Sequence, residues 1–123
     1  MGKKVLIVED ERDIVTILSL AIEKEGYEVV EAYDGLDAID KIEKEHPDLI
    51  LLDIMMPQLD GNTVNLKLKN NPATAAIPVI VMSGRGGGRD NSVLQQEMQV
   101  TAYLEKPFAV SDLIEKIKEL LPL

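Results

Sequence analysis

Cysteine is missing from this chain altogether, which excludes disulfides, a thiolate nucleophile and any metal site built on Cys, and leaves the redox compartment open. Long apolar runs are missing too. The run Val5-Leu6-Ile7-Val8 meets Glu9-Asp10 after four residues, far short of the ~20 that cross a bilayer or of a secretory leader with its small-residue cleavage site. Gly2 does not begin a myristoylation signal, because Leu6 stands where Ser or Thr is required. Basic charge is scarce: 13 Lys and Arg against 22 Asp and Glu leave a net charge of -9. No local basic patch offsets it, so neither nucleic acid nor an anionic membrane is an expected partner. Histidine occurs once, at His46 before Pro47, far from the polar strand ends described below, and reads as a surface cap and not a phosphoryl carrier.

What is present is a regular alternation. The 123 residues suffice for one core, and a single domain over 1–123 is expected. Strand-like runs fall at Val5–Val8, Glu28–Glu31, Leu49–Leu52, Val79–Val81 and Ala102–Leu104; three are almost wholly apolar, as strands covered on both faces are. Between them lie amphipathic stretches. Ile14, Ile17, Leu18, Ala21 and Ile22 share one helical face before Gly26; Ala38, Ile39 and Ile42 share another after Asp34-Gly35. Val110, Leu113, Ile114, Ile117, Leu120 and Leu121 form the cleanest stripe. The stretch 62–69 alternates like a strand, but Asp60-Gly61 before it and Asn70-Asn71-Pro72 after it favour a helix. Five βα units imply right-handed crossovers and a parallel sheet with helices on both sides.

In such sheets chemistry gathers beyond the carboxyl ends of the strands. Four of the five ends here carry functional groups: Glu9-Asp10, Asp53, Ser83-Gly84 and Glu105-Lys106-Pro107. The second, Glu31-Ala32-Tyr33, reads as structural. Three carboxylates converging on one rim repel unless a cation joins them or some are protonated. Hard oxygen ligands with open positions suit Mg²⁺, with Mn²⁺ as a substitute. Lys106 adds a fixed positive charge and Ser83 a hydroxyl donor, beside a Gly84 amide that nothing shields. Acids, lysine, hydroxyl and metal together describe a phosphoryl-transfer site with a carboxylate nucleophile.

Four separated motifs, Val8-Glu9-Asp10-Glu11, Asp53-Ile54-Met55-Met56-Pro57 with Asp60-Gly61, Met82-Ser83-Gly84 and Lys106-Pro107-Phe108, resemble those of the receiver domain of two-component response regulators, including single-domain chemotaxis and sporulation receivers. The resemblance spans the whole chain. It implies a flavodoxin-like (βα)5 three-layer sandwich with strand order 2-1-3-4-5. Asp53 would accept a phosphoryl group from a histidine kinase or histidine phosphotransfer protein. Asp10 would bind Mg²⁺ directly, together with Asp53 and the Met55 carbonyl, and Glu9 would act through a metal-bound water. Ser83 and Lys106 would hold phosphoryl oxygens, and Tyr103 matches an aromatic that turns inward as Ser83 is drawn to the phosphate. The Lys106-Pro107 bond is expected to be cis. The implied protein is cytoplasmic, a switch that modifies itself and turns over no free substrate. Its fourth helix, fifth strand and fifth helix would change shape for an unknown target or a lost effector domain, as a monomer or a phosphorylation-dependent dimer.

Several residues depart from the pattern. Gly84-Arg85-Gly86-Gly87-Gly88-Arg89-Asp90 predicts a mobile loop and a fourth helix that starts late, near Asp90 or Asn91, and Met98-Gln99-Val100-Thr101 lacks the usual Gly-Ala. Met55 and Arg85, each two residues beyond a site residue, would obstruct the attacking water and slow self-hydrolysis. Three other readings stay open: a degenerate receiver working without phosphate, a flavodoxin-like cofactor binder and a Mg²⁺-dependent phosphohydrolase. Glu9-Asp10-Glu11 would repel a cofactor phosphate, and Met55 stands where a phosphohydrolase needs a second carboxylate.

Overall fold

The computed structural model describes residues 2–53, 61–83 and 100–123. Its elements are β1 (Lys4–Val8), α1 (Arg12–Lys24), β2 (Glu28–Ala32), α2 (Gly35–Glu45), β3 (Leu49–Asp53), α3 (Gly61–Asn70), β4 (Val79–Ser83), β5 (Ala102–Glu105) and α4 (Val110–Leu120). The five strands form one parallel sheet in the order β2-β1-β3-β4-β5. Met55, the glycine-rich stretch and the helix expected from Asp90 or Asn91 lie outside the described residues.

Successive side chains of a strand face opposite ways, and the central strands are apolar in both directions. Val5, Ile7, Leu49, Leu51, Ile80 and Met82 pack with Val15, Leu18 and Ile22 of α1 and with Leu113 and Ile117 of α4. Leu6, Val8, Ile50, Leu52, Val79 and Val81 pack on the other side with Ala38 and Ile42 of α2 and Val64 and Leu68 of α3. Each fully buried Leu or Ile in these layers contributes about 1.5–3 kcal/mol of transfer free energy. The layers hold the sheet between α1 and α4 on one side and α2 and α3 on the other.

The helix ends are set locally. Asp34 caps α2 by accepting the Asp37 N–H at 2.8 Å. At the other end His46 takes a left-handed conformation, φ 49°, and its N–H reaches the Ile42 carbonyl at 3.2 Å. It is a cap, as its place before Pro47 suggested. After α1 the chain turns at Gly26, whose φ of 102° a side chain would rarely tolerate. The stretch 62–69 is helical, as its flanking signals indicated.

One face was read wrongly from the sequence. In α1 the buried residues are Val15, Leu18, Ser19 and Ile22, whereas Ile17 is 57% exposed. The cause is a polar partner on β2. Glu31 accepts the Ser19 hydroxyl at 2.7 Å and the Tyr33 hydroxyl at 2.7 Å, and the Arg12 guanidinium lies 4.1 Å from the Tyr33 ring centre. That network draws the Ser19 side of α1 inward.

The Tyr33 and Ser19 hydrogen bonds hold the Glu31 carboxyl below its usual range. A lowered carboxyl pKa adds stability that is present above the ordinary Glu range and lost as pH falls through the lowered value. Tyr33→Phe is expected to cost about 1 kcal/mol at neutral pH and to move the Glu31 titration, followed by NMR, upward. An unmoved titration would show that the hydroxyl contributes nothing.

Candidate functional site at the carboxyl rim

The pleat brings the site together before any side chain is considered. Glu9 extends the β1 ladder through its N–H to the Ala32 carbonyl at 3.0 Å, and Lys106 extends β5 through its N–H to the Ser83 carbonyl at 2.7 Å. Glu9 is in step with Val5 and Ile7, Asp53 with Leu49 and Leu51, and Lys106 with Ala102 and Leu104, which all face the α1 and α4 side. Two acids and the lysine therefore emerge on one side of the rim.

Their contacts are close. Lys106 Nζ touches Glu9 Oε1 and lies 3.4 Å from Asp53 Oδ2. Glu9, Asp10 and Asp53 each offer an oxygen within 4.8 Å of the others. Glu9 is 0% and Asp53 3% exposed, while Asp10 faces water. The second Glu9 oxygen accepts the Glu11 N–H at 3.2 Å. Ser83 is buried at the end of β4, in register with Glu105, and the Lys106–Pro107 peptide is cis, as expected.

Burial pushes the Glu9 carboxyl above its usual range; the Lys106 hydrogen bond opposes this in part and the Asp53 charge adds to it. The Asp10 carboxyl is raised by burial and by its contact with Glu9. Desolvation works to lower the Lys106 pKa, but the Glu9 and Asp53 carboxylates outweigh it and hold the ammonium above its ordinary value. Raised carboxyl pKa values mean that the folded chain retains protons the unfolded chain releases. Stability from this cluster thus falls as pH rises from the ordinary carboxylate range through the raised values. Asp10→Asn is expected to stabilise the metal-free fold at neutral pH, by no more than about 1 kcal/mol because Asp10 is solvated, and so to raise its melting midpoint. It should also flatten the pH dependence; a lower midpoint would contradict the account.

Three hard oxygen donors converging on one point, with a water-facing side at Asp10, fit Mg²⁺ and its retained waters. Tyr103 is 7% exposed and packs in the α2 and α3 layer, its hydroxyl buried with no hydrogen-bond partner among the described residues. It lies inward and away from the acids. The structure also holds a feature the sequence reading missed, an apolar groove of about 420 Å³ beside Lys106, lined by Ile14, Ile17, Leu18, Pro107, Phe108 and Val110. Phe108, an aromatic directly after Lys106-Pro107 at the rim, carried the signal.

A doubly wound parallel sheet that carries acids and a lysine on its carboxyl rim has its candidate site where such sheets bind their ligands. Comparison with known proteins is more specific. Residues 5–118 match the response regulator receiver domain family, and the chain belongs to that family. It is 30% identical to a putative response regulator from Chloroflexus aurantiacus, with a TM-score of 0.88 and coverage of 100% of both chains. A CheY-like receiver domain protein from Methanospirillum hungatei is 34% identical, with a TM-score of 0.86 and coverage of 97% of this chain and 93% of that one. The receiver domain of a signal transduction histidine kinase from Syntrophus aciditrophicus is 31% identical, with a TM-score of 0.88 and coverage of 98% and 90%. Receiver domains generally bind Mg²⁺ and interact with histidine kinases or phosphotransfer proteins. The family is one of signalling modules, not of classical enzymes, and no helix among the described residues is long and apolar enough to cross a membrane.

Proposed function

We propose that this chain is a cytoplasmic receiver domain that takes a phosphoryl group onto Asp53 from a phosphohistidine of a kinase or phosphotransfer protein. The observation that carries the reading is the placement of Asp53, almost fully buried at the end of β3 with Lys106 Nζ 3.4 Å from its Oδ2 and two further acids beside it. An Asp53 oxygen attacks phosphorus, forming the acyl O–P bond. The P–N bond of the donor breaks, and its electron pair stays on the imidazole nitrogen, which takes up a proton. Asp10 and Asp53, with the Met55 carbonyl and with Glu9 through a water, would hold Mg²⁺. The ion supplies charge neutralisation for the transferring group. Lys106 and the Ser83 hydroxyl bind phosphoryl oxygens, and the groove formed by Ile14, Ile17 and Phe108 flanks the donor's approach.

Drawing Ser83 toward the dianion reshapes the adjoining surface, which includes β5 and α4, with Tyr103 filling the space behind it. That surface then binds a target, another domain or a second phosphorylated copy. Incubation with acetyl phosphate and Mg²⁺ is expected to add one phosphoryl group by intact mass; no addition would contradict the reading. Met55 and Arg85 are proposed to hinder the attacking water. The acyl phosphate should accordingly outlast a chase in which the donor is removed, and a half-life of only seconds would refute that role.

A further inference from the structure

Arg12 begins α1 two residues after Asp10, and two residues of chain span at most about 7 Å. An arginine so placed is a rival to any metal ion at the rim. Its guanidinium is always charged and binds carboxylates as a two-pronged fork, and Glu9, Asp10 and Asp53 carry more negative charge than Lys106 offsets. The guanidinium is nonetheless stacked elsewhere, 4.1 Å from the Tyr33 ring centre. Tyr33 follows β2, the edge strand on the far side of β1 from Asp53. The ring is anchored at both ends: its hydroxyl donates to Glu31 at 2.7 Å and the Tyr33 N–H donates to Asp37 at 3.3 Å.

We propose that Tyr33 is a positioning residue that keeps the rim clear for a divalent cation, its ring holding the Arg12 guanidinium over the edge strand. Without the ring, Arg12 turns onto the acids and competes with the metal. Glu31 is the weaker destination for a freed guanidinium, because Ser19 occupies one of its oxygens and Lys41, with Nζ 3.5 Å from the Glu31 carbonyl, already offsets its charge. The proposal rests on the reading of this rim as a Mg²⁺ site.

Calorimetric titration with Mg²⁺ tests it, at about 0.15 M salt so that a charge held well away from the acids is screened. Y33L is expected to weaken Mg²⁺ binding about 2–5-fold, the scale of one solvated ion pair. R12Q alone should change the affinity little, and Y33L/R12Q should bind as R12Q does. Y33F loses the hydroxyl bond to Glu31 but keeps the ring face; its melting midpoint should fall while its Mg²⁺ affinity stays. A merely structural Tyr33 would let affinity and midpoint fall together in Y33F and Y33L, with no repair by R12Q, and that result would overturn the proposal. Should Y33L fail to fold, R12K, at an exposed position, asks the same question from the other side. Lysine keeps the charge but lacks the stacking plane, so R12K should bind Mg²⁺ more weakly than both the unmodified chain and R12Q. Equal affinities in these three would overturn the proposal and leave the Mg²⁺ site standing. An unmodified chain that gives no heat with Mg²⁺ would remove both.

Discussion

Asp53→Ala is expected to take up no phosphoryl group from acetyl phosphate and Mg²⁺, a loss on the order of 10⁴-fold or more, because the substitution deletes the nucleophile itself. Neither neighbouring acid can stand in for it. Glu9 carries the Lys106 ammonium on one oxygen and the Glu11 N–H on the other, and Asp10 sits on the water-facing side of the cluster. Intact mass after incubation reads the result directly. Undiminished labelling of the variant would place the acceptor elsewhere.

Lys106→Met is expected to have two effects of different origin. Phosphorylation should slow by about 10²–10³-fold, the usual cost of removing one preorganised donor from a site where charge develops. The fold should also weaken, since the substitution leaves the buried Glu9 and Asp53 without the cation they share. Breaking a buried pair costs about 3–5 kcal/mol; the lower end applies here because the lysine is 19% exposed and Glu9 can take up a proton. Lowering the pH, which protonates Glu9, should restore part of the loss. Thermal melts in EDTA at neutral and mildly acidic pH check this, and a midpoint that did not fall would show that the ion pairs contribute nothing to the fold.

Much of the fold was legible in the sequence for a physical reason. A strand covered on both faces must be apolar at every position, so Leu49-Ile50-Leu51-Leu52 announced β3, and the acid that ends it stood out by contrast. The rim residues followed from chain order, because every strand of a parallel sheet ends on the same side. The α1 face was not legible. Val15 and Ile17 both fit a helical stripe, and the choice between them was made by Ser19 and Glu31, whose hydrogen bond joins a helix to a strand 12 residues away. Nor could the sequence show that Lys106 touches Glu9 more closely than Asp53; that depends on side-chain reach across three strands. Tyr103 fell between the two: its burial followed from its strand position, but a hydroxyl without a partner among the described residues is a property of the packed layer.

The central claim is that an acyl phosphate forms on Asp53. Borohydride reduction after incubation with acetyl phosphate and Mg²⁺ cleaves acyl phosphates and leaves the acceptor as a reduced residue that peptide mass spectrometry can locate. The account predicts one reduced position, at Asp53, absent when EDTA replaces Mg²⁺. Reduction at Glu9 or Asp10, or a stable phosphoester on Ser83 that borohydride does not touch, would contradict it.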